Sequence, residues 1–185
     1  MHTSPKTEKY IQANLYKALS KEEKETSEIW SMDFTEQKIN GKKIYTCGVI
    51  STNRKIVVGI AQGKRCNAEL AVKAITKAIN EYGTPDLLMT DRGSAFTSKS
   101  FYDILQEKKI KHSMSRPHTP IDNVYIETFW KSMKTEIGKV VLLNEYTYMM
   151  VVEYYVYYYN NLRPHSALGY LTPIEYMRKK LSLKN

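Results

Sequence analysis

The sequence predicts an α/β domain, a mixed five-stranded sheet flanked by helices, with a C-terminal helical extension. Three observations predict it. Residues 29–61 hold three β-rich runs joined by short turns. Beyond them, strand and helix patterns alternate. From residue 121 onward the periodicity is helical, broken by one structured loop. Three strands, helix, strand, helix, strand, helix is the order of an antiparallel meander with parallel additions. Right-handed crossovers then set helices on both faces of the sheet.

Each element has a local reason. In "IWSMDFTE", Trp30, Met32 and Phe34 alternate with Ser31, Asp33 and Thr35, which is strand periodicity and turns Asp33 away from the apolar row. "KKIYTCGVI" and "KIVVGIA" are β-rich, and "STNR" between them makes a hairpin. Asn67 can cap a helix in which Ala71, Ala74, Ile75, Ala78, Ile79 and Tyr82 recur at helical spacing, stopped by Gly83 and Pro85. "DLLMT" is a short strand, apolar enough to be covered on both faces, and Asp91 follows its C-terminal end. "SKSFYDILQEKK" is a helix with Phe101, Ile104, Leu105 and the stem of Lys108 on its inner side, and "IKHSMS" is a weak strand. Pro120 suits the start of a helix over 121–137. That helix carries an apolar stripe, Ile126, Trp130, Met133 and Ile137, beside a polar one, Asn123, Glu127, Lys131 and Lys134. A Tyr- and Val-rich helix over about 145–161 follows. After the loop "NNLRPHSALGYLTP" comes a closing helix capped by Thr172.

Composition narrows the function classes. The chain has 185 residues and a formal charge of +9. Residues 1–28 are polar and contain five Lys and five Glu, so the whole excess lies beyond them. A basic globular domain points to a polyanion, nucleic acid first. No apolar run approaches the roughly 20 residues of a membrane helix, and the N-terminus has no apolar signal core. Cys47 and Cys66 fit no metal spacing and read as reduced thiols of a cytosolic protein. The crowded tyrosines at 154–159 read as helix packing rather than a base-stacking platform.

Three acids stand out. Asp33 lies inside a strand, Asp91 ends one, and Glu127 sits on the polar stripe of a helix. A mid-strand Asp is costly to bury without a partner. Three carboxylates gathered together repel unless divalent cations sit between them, and hard oxygen ligands suit Mg²⁺ or Mn²⁺. Taken singly, these acids read more often as a turn or helix cap and a solvated helix face than as metal ligands.

The runs "WSMDFTE", "TDRGSAFTS", "SRPHTPIDNVYIETFWKSMKTE" and "YNNLRPHSALGYLTPIEY", in that order, resemble the catalytic core of bacterial insertion-sequence transposases of the retroviral-integrase-like DDE group. The resemblance covers about residues 29–178. It implies an RNase H-like fold and a catalytic, metal-binding triad of Asp33, Asp91 and Glu127 holding two Mg²⁺, or Mn²⁺ in their place. It implies DNA cleavage and strand transfer during transposition. Relatives carry a basic residue seven positions after the glutamate, where Lys134 stands. Lys131, Asn123, Ser94 and Arg92 join Lys134 as expected DNA contacts, and Asn123 is alternatively expected to orient Glu127. His112 and His118 are expected in structural or DNA-contact roles. Arg163 and His165 match a C-terminal packing signature.

The expected partners are element ends and target DNA, a second copy of the chain on DNA, and a separately encoded helix-turn-helix protein. No membrane partner is expected, and the expected location is the bacterial cytoplasm, at the nucleoid when bound to DNA. Residues 1–28 are expected to be a weakly packed tail, the remnant of a region preceding the core, and 29–185 the core with its C-terminal helices. A second reading is a truncated or decayed copy that acts only as a non-specific DNA-binding module.

Overall fold

A computed structural model describes residues 9–115, 123–138 and 144–182. The strands are β1 (Ile29–Ile39), β2 (Lys42–Ser51), β3 (Val57–Gly63), β4 (Leu87–Thr90) and β5 (Lys111–Met114). The helices are α1 (Leu15–Ala18), α2 (Lys21–Thr26), α3 (Ala68–Tyr82), α4 (Lys99–Glu107), α5 (Val124–Ile137), α6 (Glu145–Asn161) and α7 (Pro173–Ser182). The sheet order is β3-β2-β1-β4-β5. The β1–β2 and β2–β3 pairs are antiparallel, while β1–β4 and β4–β5 are parallel. This is the mixed five-stranded α/β architecture expected, with the meander first and the parallel strands added to its inner edge.

β1 runs three residues past its expected end. Asn40 and Gly41 both take positive φ, 47° and 82°. That is the backbone of a two-residue hairpin turn, whose twist matches the flanking strands. The ladder therefore continues through polar residues to Ile39 opposite Lys42.

The two faces of the sheet bury different cores. On one, Trp30, Met32, Cys47 and Val49 pack against Ala71, Ala74, Ile75 and Ala78 of α3 and Phe101 and Leu105 of α4. On the other, Ile44, Ile50, Val57 and Ile60 pack against Ile126, Phe129, Trp130 and Met133 of α5 and Val152, Tyr155 and Tyr159 of α6. Alternation along β1 and β2 makes this division, since neighbouring residues face opposite layers. Lys108, expected to lay its stem along the core, is instead exposed and pairs with Glu107. It lies just past the last turn of α4, where the helix axis no longer carries it inward.

The N-terminal stretch, expected to be a loose tail, is fastened to the sheet over its described part. Tyr10 N–H donates to Thr97 O (2.9 Å), Met114 N–H to Ala13 O (3.2 Å) and Tyr16 N–H to Ser113 Oγ (3.0 Å). Tyr16 and Leu19 pack against Ile29, Leu87 and Met89. At the other end, Thr172 and Glu175 form the reciprocal cap of α7. Among the described residues no helix is long and apolar enough to cross a membrane.

Candidate active site

The first carboxylate is set by strand register. Asp33 pairs with Gly48 of β2, so both face the α5 layer. Above Gly48 lies Trp130. A Cβ there would meet the indole at 2.6 Å. Bare backbone at Gly48 therefore lets α5 settle low over β1, and Glu127 rides one turn before Trp130 on that helix.

The second carboxylate comes from the parallel ladder. Ser31 and Met89 are the last pair of the β1–β4 ladder, and Asp91, two residues past Met89, lies near enough for its charge to act on Asp33. Asp91 opens the loop after β4. Its Oδ1 accepts the Gly93 N–H at 2.8 Å. Gly93 fits because a Cβ would sit 2.9 Å from that same oxygen. Phe96 N–H and Thr97 N–H both donate to Gly93 O, and the buried Ala95, Phe96 and Thr97 pin the loop. Arg92 and Ser94 stand exposed on it beside Asp91.

Electrostatics ties the three acids together. Half-burial pushes the Asp33 carboxyl up to about 7, and the charges of Asp91 and Glu127 push the same way, opposed by a backbone hydrogen bond at Phe34. Asp91 and Glu127 are exposed. The buried Trp130 N–H is out of hydrogen-bonding geometry with any described acceptor. It nonetheless approaches Asp33 closely enough to favour the charged carboxylate. Among the described residues, no three acidic, histidine or cysteine side chains lie close enough to constitute a metal centre as they stand. The donor set fits a hard divalent cation all the same. It is oxygen-only, it is crowded with like charge, and one member is partly withdrawn from water.

The remaining expected residues fall into two groups. Lys131 and Lys134 are exposed on α5, four and seven positions after Glu127, on the same side of the helix. Asn123 is buried at the N-cap position of α5, makes no side-chain cap, and accepts the hydroxyl of Ser31. That burial removes it from the surface open to DNA and makes it a link between the start of α5 and β1. Ser31 is the residue sequence reasoning missed. Its signal was there, since it lies two positions before Asp33 and so on the same face.

His112 is buried, bonded through Nε2 to Thr90 Oγ1 at 2.9 Å, and edge-on to Phe101. Desolvation lowers it to about 4, so it is a neutral core residue. His118 and Pro120 lie outside the described residues. Arg163 donates from Nε and pairs through its guanidinium with Glu136, both at 2.9 Å, and His165 packs edge-on against Tyr159. Cys66, which carried no expected role beside the acids, is exposed. Partial burial raises its thiol pKa, and so do the nearby charges of Asp91 and Asp33.

Residues 23–120 and residues 108–173 each match the integrase core domain. The InsK protein of insertion sequence element IS150 in Escherichia coli K12 is 31% identical over 157 residues, 81% of this chain and 54% of its own length. The transposase of IS904 from Lactococcus lactis is 28% identical over 159 residues, 81% of this chain and 61% of its own. The chain thus spans little more than half the length of such relatives. The HTLV-2 integrase catalytic core in complex with magnesium superposes with a TM-score of 0.67 at 20% identity, over 82% of this chain and 96% of that one. A simian T-cell lymphotropic virus intasome chain gives 0.71 at 19%, over 82% and 54%. At such identities the likeness is one of fold, the RNase H-like fold of integrase cores. With more than half of its residues inside the first match and insertion-sequence proteins as relatives, the chain belongs to the integrase core domain family.

Proposed function

We propose that this chain is the catalytic core of an insertion-sequence transposase, a polynucleotidyl transferase that cuts DNA and transfers the strand. The observation that carries it is the match of residues 23–120 to the integrase core domain, and a shared carboxylate site is supported by the charges of Asp91 and Glu127 that both reach Asp33 from the β4 end and α5. Relatives bearing the transposase name support the reaction class. The magnesium complex of a core with this fold supports a divalent cation.

Asp33 and Asp91 would hold one Mg²⁺ or Mn²⁺, and Asp33 with Glu127 a second. Bound cations would supply activation of the attacking oxygen and charge neutralisation at the leaving one. Asp91 keeps its backbone bond to Gly93 through Oδ1, and Oδ2 remains as an acceptor. The rest of the work is positioning. Lys131 and Lys134 receive phosphates along α5, and Arg92 and Ser94 receive the strand beside Asp91. Asn123, held by Ser31, fixes the height of α5 and so of Glu127. A water attacks a phosphodiester at the element's end, the leaving 3′-oxygen takes a proton, and the freed 3′-hydroxyl then attacks target DNA in line. No protein side chain enters a covalent intermediate.

DNA is the partner in this reading, and joining two ends requires more than one copy on it. A separately encoded helix-turn-helix protein is the candidate for end recognition. The reaction is tested with a labelled branched DNA that mimics an integration product, which requires no end recognition. Wild type should break and rejoin it with Mn²⁺, while Glu127→Gln should not. Equal activity in both would remove the triad. Inactivity in both, with metal and DNA binding intact, would leave a binding module.

A further inference from the structure

A second basic site lies beside the start of β1. A groove of about 240 Å³ opens where α2, the β2–β3 turn, α5 and α7 meet. Lys24, Lys55 and Lys180 line it together with Tyr16, Tyr125 and Tyr176. Its one acidic lining residue, Glu25, is engaged by Lys21 at 4.0 Å. Two of the lysines are seated on aromatic faces. The Lys55 ammonium lies 3.6 Å from the Tyr125 ring centroid, and that of Lys24 lies 4.8 Å from the Tyr16 centroid. Such contacts hold a cation in place without neutralising it.

Lys55 also takes a left-handed backbone, as Asn40, Lys109 and Tyr170 do. Its φ is +62°, a region that glycine and asparagine occupy readily and long side chains seldom do. Strained backbone of this kind gathers at functional sites. Here it places a long cation over Tyr125, two residues before Glu127 on α5.

We propose that this lysine–tyrosine groove binds the phosphodiester backbone of duplex DNA, as a track separate from the carboxylate site. Thr52 N–H donates to Ile29 O at 2.8 Å, which puts the turn bearing Lys55 at the start of β1. Asp33 lies four residues along, a span of ~13 Å at strand rise, or about four nucleotide rises of one DNA strand. DNA as the partner rests on the function proposed above, while the binding itself requires no catalysis.

The test is fluorescence anisotropy of a labelled duplex in EDTA across a series of NaCl concentrations. The triple variant Lys24→Gln, Lys55→Gln, Lys180→Gln keeps the side-chain stems and removes three charges. It should bind roughly tenfold or more weakly, and its log–log salt slope should fall by about 2–3, near 0.9 per phosphate contact. Tyr125→Phe should bind as wild type, because the ring still seats Lys55, whereas Tyr125→Leu should weaken binding. Melting curves establish that each variant is folded. A folded triple variant with unchanged affinity and slope overturns the proposal. So does one that loses only self-association in sedimentation, which would place a second copy of the chain in the groove. Catalytic failure with the groove's DNA binding intact would count against the function above and leave this site standing.

Discussion

Gly48 and Trp130 are in contact through a space that admits no side chain. A methyl group on Gly48 would stand 2.6 Å from the indole. Gly48 is also the cross-strand partner of Asp33. The pair therefore sets how closely α5, with Glu127, approaches β1. Gly48→Ala should displace Trp130 and lift α5, destabilising the fold by about 1–3 kcal/mol, as overpacking does. It should lower strand-transfer activity further than that stability loss explains. Denaturant unfolding and branched-DNA processing, measured on the same preparation, check both parts.

Gly93 and Asp91 make a second close approach. A Cβ at Gly93 would lie 2.9 Å from Asp91 Oδ1. Gly93→Ala should therefore turn the carboxylate away. Because Asp91 and its loop are exposed, global stability should change by less than about 1 kcal/mol. Divalent-cation affinity should fall at least tenfold, read by calorimetric titration. An unchanged affinity would show that the Gly93 N–H does not place Asp91.

Asp33 and His112 should pull stability in opposite directions over one pH window. The Asp33 carboxyl is raised to about 7, so its stabilising contribution is full below its unfolded value and is lost as pH rises through 7. His112 is lowered to about 4, so its contribution is present above 6.5 and is lost as pH falls through 4. In wild type the two slopes offset each other between pH 4 and 6.5. Asp33→Asn should expose the histidine slope, with stability rising with pH, and should stabilise the metal-free protein at pH 8 by on the order of 2 kcal/mol after allowance for partial exposure. His112→Asn should show the reverse slope. Urea unfolding in EDTA at several pH values reads all three proteins.

Lys131 and Lys134 stand exposed on the Glu127 side of α5. Each changed to Gln should reduce the salt dependence of DNA binding by about 1 in log–log slope. Neither should alter sequence preference, since phosphate contacts carry no base information. Competition between unrelated duplexes at fixed salt checks the second point.

Much of this was legible in the chain, and the part that was not has physical causes. α6 spans Glu145–Asn161, the segment marked by its Tyr and Val content, and Asn67 and Thr172 cap the helices expected of them. Strong local signals sufficed there. The three acids are singled out by type, position and motif. Their electrostatic meeting depends on register, which neighbouring residues do not encode. The Ser31–Asn123 link spans 92 positions. The tether of residues 10–16 runs largely through backbone groups and Ser113, which leave no pattern of apolar spacing. The division within the tyrosine cluster, Tyr155 and Tyr159 buried but Tyr154 and Tyr157 exposed, follows from helix phase against a sheet that had first to be built.

The central claim is that Asp33, Asp91 and Glu127 act as one divalent-cation site. Its most direct test is Mn²⁺ binding followed by electron paramagnetic resonance, with wild type beside Asp33→Asn, Asp91→Asn and Glu127→Gln. The account predicts bound Mn²⁺ in wild type and a loss of at least tenfold in affinity at each substitution, largest at Asp33, the residue proposed to hold both ions. Wild-type Mn²⁺ affinity in all three folded variants would contradict it.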